Sequence, residues 1–118
     1  MSEWKSLSSI TSKIGSGSTP RGGNSVYSDS GISFIRSQNV LDMDFSTENL
    51  AFINDNQAEK LNNVIVEKND ILLNITGDSI ARCTVVPEEI LPARVNQHVS
   101  IIRCKNTEES KYVMYYLQ

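Results

Sequence analysis

The apolar positions of the chain fall into short runs rich in β-branched residues, and the most informative pair lies between Asp70 and Val86. Ile71 to Ile75 and Ile80 to Val86 are each of strand length. They are joined by Thr76-Gly77-Asp78-Ser79, whose Gly-Asp step is turn chemistry. The pattern predicts a β-hairpin or a tight strand–loop–strand. The first run is almost continuously apolar, which predicts a strand covered on both faces. Polar side chains gather at the connection: Asn74, Thr76, Asp78, Ser79 and Arg82. A stiff ribbon with hydrogen-bonding groups at its end can display a site; equally, turns are polar because they meet water.

Weaker patterns surround this centre. Trp4 to Leu7 alternates and reads as a short edge strand, while Ser8 to Ile14 fits either a turn of helix or a strand. Gly15 to Ser25 reads as a loop. Ile32 to Arg36 alternates as a strand does, with Ser37 to Leu41 as its polar exit, and Asn49 to Ile53 is a weak strand. Asn54 or Asp55 can cap a short helix running to about Leu61, with Ala58 and Leu61 on one face. Val64 to Val66 reads as extended and Glu67 to Asp70 as a turn. Pro87 ends the second hairpin strand, and Glu88 to Pro92 is a connection. Val99 to Cys104 is a further strand. Asn106 with Glu109 forms a capping box for a last helix, on which Tyr112, Val113, Tyr116 and Leu117 make one apolar stripe. The expected fold is one α+β domain over residues 1–118: a twisted, mostly antiparallel or mixed sheet with two or three short helices. No Gly or Pro stop follows the last helix, so the chain is expected to be the N-terminal part of a longer domain.

Composition narrows the class. With 39% hydrophobic and 21% charged residues over 118 positions, the chain can bury a core and is not a disordered segment. No apolar run approaches the roughly 20 residues of a membrane-spanning helix, and the N-terminus has no signal-peptide pattern, so a cytoplasmic protein without membrane contact is expected. Cys83 and Cys104 are then expected as reduced thiols packed like small hydrophobes, and the Asn74-Ile75-Thr76 sequon is set aside. The net charge of −3 argues against non-specific nucleic-acid binding. The acid is concentrated, however. Asp42, Asp44, Glu48, Asp55, Glu59, Glu67 and Asp70 face only Lys60 and Lys68 in that segment. Another face is left free to meet phosphates, although chance clustering on a solvated face accounts for the pattern equally well.

Several enzyme readings fail on spacing. The Gly15–Gly23 loop has Gly23 where a Walker lysine belongs, and Pro20 where the dinucleotide fingerprint needs its third Gly. One His and two Cys cannot close a four-ligand zinc site, and no Cys-x-x-Cys pair exists. A His98/cysteine nucleophile pair has no supporting context. No Asn-Pro-Pro-Tyr step of an adenine methyltransferase is present, and Glu109-Ser-Lys111 lacks the partner a nuclease needs. No cofactor is expected.

What the chain does carry, loop by loop, is the repertoire of DNA contact. Asn and Gln amides pair with adenine, Arg pairs with guanine, and Ser, Thr, Asn, Arg and backbone N–H groups hold phosphates. One loop has Ser18, Thr19 and Arg21. A second has Arg36, Gln38 and Asn39, and a third Asn74, Thr76, Ser79 and Arg82. Arg94, Asn96, Gln97 and His98 make a fourth. Loop amides are common in any protein, so this repertoire alone does not decide.

The order of the segments does more. Trp4-Lys-Ser-Leu7, Ile14-Gly-Ser-Gly-Ser-Thr-Pro20, Gly31-Ile-Ser-Phe-Ile-Arg36, Asn69-Asp-Ile-Leu-Leu73, Gly77-Asp-Ser-Ile-Ala-Arg82 and Asn96-Gln-His-Val99 follow one another across almost the whole chain. In this the chain resembles the target recognition domain of the DNA specificity subunit of type I restriction-modification systems. Two positions depart from the family pattern. Ala81 stands where Gly is usual, and Asn69 stands in a turn that often reads Pro-Gly-Asp, so Asn69 must accept whatever φ that turn demands.

The resemblance implies a non-catalytic module in a bacterial cytoplasm. Such a module reads one half of a bipartite target in double-stranded DNA and directs partner methyltransferase and restriction subunits, without a cofactor of its own. The expected contacts are Thr19, Arg21, Arg36, Gln38, Asn39, Asn74, Thr76, Ser79, Arg82, Asn96 and Gln97. The alternative is a protein-interaction domain that docks a partner through the Tyr112–Leu117 stripe.

Overall fold

The computed structural model describes residues 11–20, 27–77 and 80–104. The expected edge strand at Trp4–Leu7 and the last helix with its apolar stripe lie outside them. The architecture is α+β and dominated by sheet, as expected. β1 (Thr11–Ser16), β6 (Ile71–Asn74), β7 (Cys83–Val85) and β9 (Val99–Cys104) form a four-stranded antiparallel sheet in the order β1-β9-β6-β7. β2 (Ile32–Ile35) is the middle of a second sheet, antiparallel to β5 (Ala51–Ile53) and parallel to β8 (Ala93–Val95). β3 (Val40–Leu41) and β4 (Asp44–Phe45) make a small hairpin.

The central hairpin forms in the register Ile71↔Val85, Leu72↔Thr84, Leu73↔Cys83. Its first strand is covered on both faces. Leu72 enters the main core with Phe34, Ile35, Val99 and Ile101, whereas Ile71 joins a second cluster with Cys83 and Ile102. A strand alternates its side chains between faces, so a run with no polar alternation needs two apolar surroundings. Both strands are shorter than the apolar runs that predict them. The isoleucines at the tip leave the ladder, and Ile80 is 62% exposed.

Backbone geometry decides the elements that sequence left ambiguous. The described part of the ambiguous Ser8–Ile14 stretch, from Thr11, is strand: β1 pairs with β9 as far as Ser16↔Ser100, so the loop begins at Gly17 and not at Gly15. The helix α1 (Asp55–Glu59) is capped reciprocally. Asn54 Oδ1 accepts from Gln57 N (2.8 Å) and Gln57 Oε1 accepts from Asn54 N (2.9 Å). Ala58 and Leu61 are buried as the pattern predicts. A 3₁₀ turn at Asn62–Val64 takes the first residue of the expected extended stretch; Ile65 is extended and Val66 pairs in a bridge to Ala93.

β8 is a strand that periodicity does not announce, because three residues are too few to show a period. Ala93 and Val95 are fully buried. Arg94 between them is also buried. It donates from Nε to the Ala58 carbonyl at 3.2 Å, near the C-terminus of α1, and from Nη2 to Asn62 Oδ1 at 3.2 Å. Burial pushes its guanidinium pKa below the ordinary value.

The root of the hairpin is locked by charge. Asp70 is 0% exposed; it accepts from Arg103 Nε and Nη2, both at 2.9 Å, and from Glu67 N at 2.7 Å. Arg103 also donates to the Ile65 carbonyl at 2.8 Å. The bond to Asp70 holds the Arg103 guanidinium above its ordinary pKa, against its partial burial. Asn69 takes φ +71° in the turn that this carboxylate closes. Asn tolerates the left-handed region better than most residues.

Candidate nucleic-acid interface

Three segments distant in sequence meet beyond the tip of the hairpin. The first is the 3₁₀ turn Ser37–Asn39 that leaves β2. The second is the hairpin tip itself. The third is the turn between β8 and β9, which carries Asn96, Gln97 and His98. Between them lies an open cleft of about 390 Å³, lined by Ser37, Gln38 and Leu41 from one side and by Thr76, Gly77, Arg82 and His98 from the others.

Buried amides hold these segments in place. Asn39 and Asn74 are 0% exposed and Asn96 is 5% exposed. Asn39 Oδ1 accepts from Arg36 N (3.0 Å), while its Nδ2 donates to the Ser46 carbonyl (2.9 Å). Asn74 Nδ2 donates to the carbonyls of Ser37 and Val40, both at 3.0 Å, and so ties the hairpin to the 3₁₀ turn. Asn96 Oδ1 accepts from His98 N at 2.9 Å. A buried loop carbonyl or N–H needs a partner, and a short amide on a neighbouring strand supplies one. The expected DNA contacts therefore divide. Asn39, Asn74 and Asn96 are inside and hold backbone, whereas Gln38, Thr76, Arg82 and Gln97 are exposed.

The remaining expected residues are placed as follows. Thr19 Oγ1 donates to Gln97 Oε1 at 2.6 Å, which joins the Gly-Ser loop to the turn before β9. Gly17 makes that approach possible. Its N–H donates to the Asn96 carbonyl at 3.1 Å, and a Cβ there would collide with the carbonyl oxygen of Val95. Arg36 does not line the cleft. Its guanidinium lies over the Tyr27 ring, 5.2 Å from the centroid, and Nη2 donates to the Asn49 carbonyl at 2.6 Å. Arg21 and Ser79 lie outside the described residues.

Four lining residues lie outside the expected contacts: Ser37, Leu41, Gly77 and His98. Leu41 carries no polar signal, so nothing in the sequence marks it. His98 stands in the fourth polar loop. In the structure it is bonded to the hairpin tip twice. Its carbonyl accepts from Ile75 N at 3.0 Å, and its Nδ1 lies 2.7 Å from Thr76 Oγ1.

Of the described lining residues none is Asp or Glu, and Arg82 is the one with a permanent charge, in a chain whose net charge is −3. Among the described residues, no three His, Cys, Asp or Glu side chains gather as metal ligands would, and Cys83 is buried within the sheet. No helix among them is long and apolar enough to cross a membrane.

No protein-family model matches the sequence, and no curated protein is significantly similar to it. Among solved structures, the fold matches that of the HsdS subunit from Thermoanaerobacter tengcongensis. The TM-score is 0.67 at 16% identity, over 94% of this chain and 25% of that one. The chain thus has the fold of one part of that subunit and spans about a quarter of its length.

Proposed function

We propose that this domain is a sequence-specific reader of double-stranded DNA, of the kind found in the specificity subunits of type I restriction-modification systems. The observation that carries the reading is the cleft. A Gln amide from the 3₁₀ turn meets a Thr hydroxyl and an Arg guanidinium from the hairpin tip on one open surface, with no carboxylate among its described lining residues. These are groups that pair with base edges and phosphates. The shared fold with an HsdS subunit supports the same reading, as does the order of segments along the chain.

On this reading the domain is non-catalytic. Gln38, Arg82 and Gln97 read bases, Thr19 and Thr76 anchor and orient, and Asn39, Asn74 and Asn96 hold the loops that present them. The domain reads one half of a bipartite target, while partner methyltransferase and restriction subunits modify and cut. It works in the cytoplasm.

The test is selection of bound duplexes from a random library by the full-length protein, with whatever subunits it purifies with. A defined consensus is expected. Arg82→Ala should relax that consensus at one position by about 1–3 kcal/mol of discrimination. Equal binding of all sequences, or no loss with Arg82→Ala and Gln38→Ala together, would sink the assignment.

A further inference from the structure

The cleft contains one group whose charge is not permanent. His98 is half-buried in the lining and is bonded through both its backbone and its ring. Its N–H is bound by Asn96 Oδ1, its carbonyl by Ile75 N, and its ring nitrogen Nδ1 by Thr76 Oγ1. Nε2 has no partner among the described residues. When the Thr76 hydroxyl donates to Nδ1, the neutral ring carries its hydrogen on Nε2; when the ring is protonated, both nitrogens carry one. Nε2 is then a donor in both states, and the protonated state adds a full positive charge beside Arg82.

We propose that His98 is a phosphate anchor of the DNA interface, with Nε2 donating to a backbone phosphate oxygen, and that duplex binding therefore takes up a proton at His98. Thr76 is the positioning residue that turns the ring. The inference rests on the DNA-reading assignment above and adds to it a contact and a linked proton. Arg82 is the one other charged group in the lining, and Asp78, next to Gly77, lies outside the described residues. An anion that meets two cations favours the charged imidazole, so the complex holds the proton more firmly than the free protein does. A phosphate oxygen suits the site better than a base edge. The Nε2 donor bears no second group for bidentate pairing, and base discrimination rests on paired donors and acceptors.

Comparison with His98→Gln assigns a pH response to this ring, because the two proteins differ at that side chain alone. The experiment measures affinity of the full-length protein, with any subunits it purifies with, for a duplex of about three helical turns that carries the consensus from the selection above. Wild type, His98→Gln, His98→Arg, Thr76→Val and Thr76→Ser are compared at fixed ionic strength from about pH 7.5 to about pH 5.5.

Wild-type affinity should rise about tenfold over that range, by proton linkage. His98→Gln should flatten the rise and lower the salt slope at acid pH by about one. His98→Arg should bind at neutral pH as the wild type does at acid pH. Thr76→Val should weaken the rise, and Thr76→Ser should restore it. A wild-type profile that is flat, or a rise that survives in His98→Gln, overturns the inference while leaving the DNA reading intact. Absence of duplex binding at every pH overturns both.

Discussion

The two ends of the β6–β7 hairpin treat charge in opposite ways. At the root, Asp70 is sealed from water and spends its oxygens on Arg103 and on the Glu67 N–H, while Arg103 also holds the Ile65 carbonyl and pairs with Glu67 at 3.1 Å. At the tip, Thr76, Gly77 and Arg82 stand exposed around a cleft, and no ion pair to Arg82 forms among the described residues. One ribbon thus carries charge that serves the fold at one end and charge offered outward at the other. Burial separates the two roles: an enclosed ion must be compensated internally, and an exposed one can wait for a partner.

The strongest way to break this contrast is at the root. Arg103→Met leaves the Asp70 carboxylate enclosed without its cation, and removing one member of such a pair costs about 3–5 kcal/mol. Denaturant unfolding should show a loss of that order, while duplex affinity per folded molecule stays unchanged. The pH signature follows from the raised pKa of Arg103. A base whose folded pKa lies above its unfolded value contributes fully below the unfolded value and loses the contribution only as pH rises through the folded one. The Arg103 contribution should therefore be constant across neutral and mildly acidic pH. A wild-type-minus-variant stability difference that fades between pH 9 and pH 6 would contradict it.

Asn74 lies between the two regimes, because it is buried yet it positions the tip. Asn74→Ala strands the Ser37 and Val40 carbonyls, at about 1–3 kcal/mol of stability. It should also weaken DNA binding, since the turn that carries Gln38 loses its tie to the hairpin. Gln38→Ala sharpens the comparison from the other side. The side chain is exposed, so stability should shift by less than about 0.5 kcal/mol. Discrimination at one base pair should still fall by about 1–3 kcal/mol. If Gln38→Ala destabilised the fold as much as Asn74→Ala does, the division between holders and presenters would be wrong.

The same division marks what could be read in advance. Runs of β-branched residues at Ile71–Ile75, Ile32–Arg36 and Val99–Cys104 announce their strands because burial and period-two geometry select the same residues. The α1 cap is legible for the same reason: Asn54 and Gln57 act within three positions of each other. β8 and the β3–β4 hairpin escape, since each strand is only two or three residues long, and β8 is in addition defined by β2, a partner far away in sequence. The loops that build the cleft are legible as polar loops. Which amides turn inward is not, because Asn39 and Gln38 are neighbours of similar chemistry. Their fates depend on the Ser46 carbonyl and on solvent, neither of which a local pattern encodes. Arg36 shows the same limit: its stacking on Tyr27 is a tertiary fact.

The smallest effect concerns the backbone beside Arg82. Ala81 has φ +75°, in the region that L side chains with a Cβ enter at a cost of roughly 1–2 kcal/mol. Its N–H donates to the Asn74 carbonyl at 2.8 Å, and Asn74 N donates to the Arg82 carbonyl at 2.9 Å, so the strained residue is held by the hairpin it closes. Its methyl group is exposed and packs against no core. Ala81→Gly removes the strain and loses almost no contact, but it gives the unfolded chain more freedom, which takes back part of the gain. The net should be a stabilisation of about 0.5–1 kcal/mol, seen as a higher denaturant midpoint with an unchanged slope. Because the two backbone bonds fix Arg82 whichever residue precedes it, duplex affinity should stay within about twofold of wild type. A destabilised Ala81→Gly would mean that the methyl group has a packing role which its exposure denies. A stabilised variant that binds DNA poorly would mean that the strain itself sets the aim of Arg82, and that the tip displays its charge under tension instead of at rest.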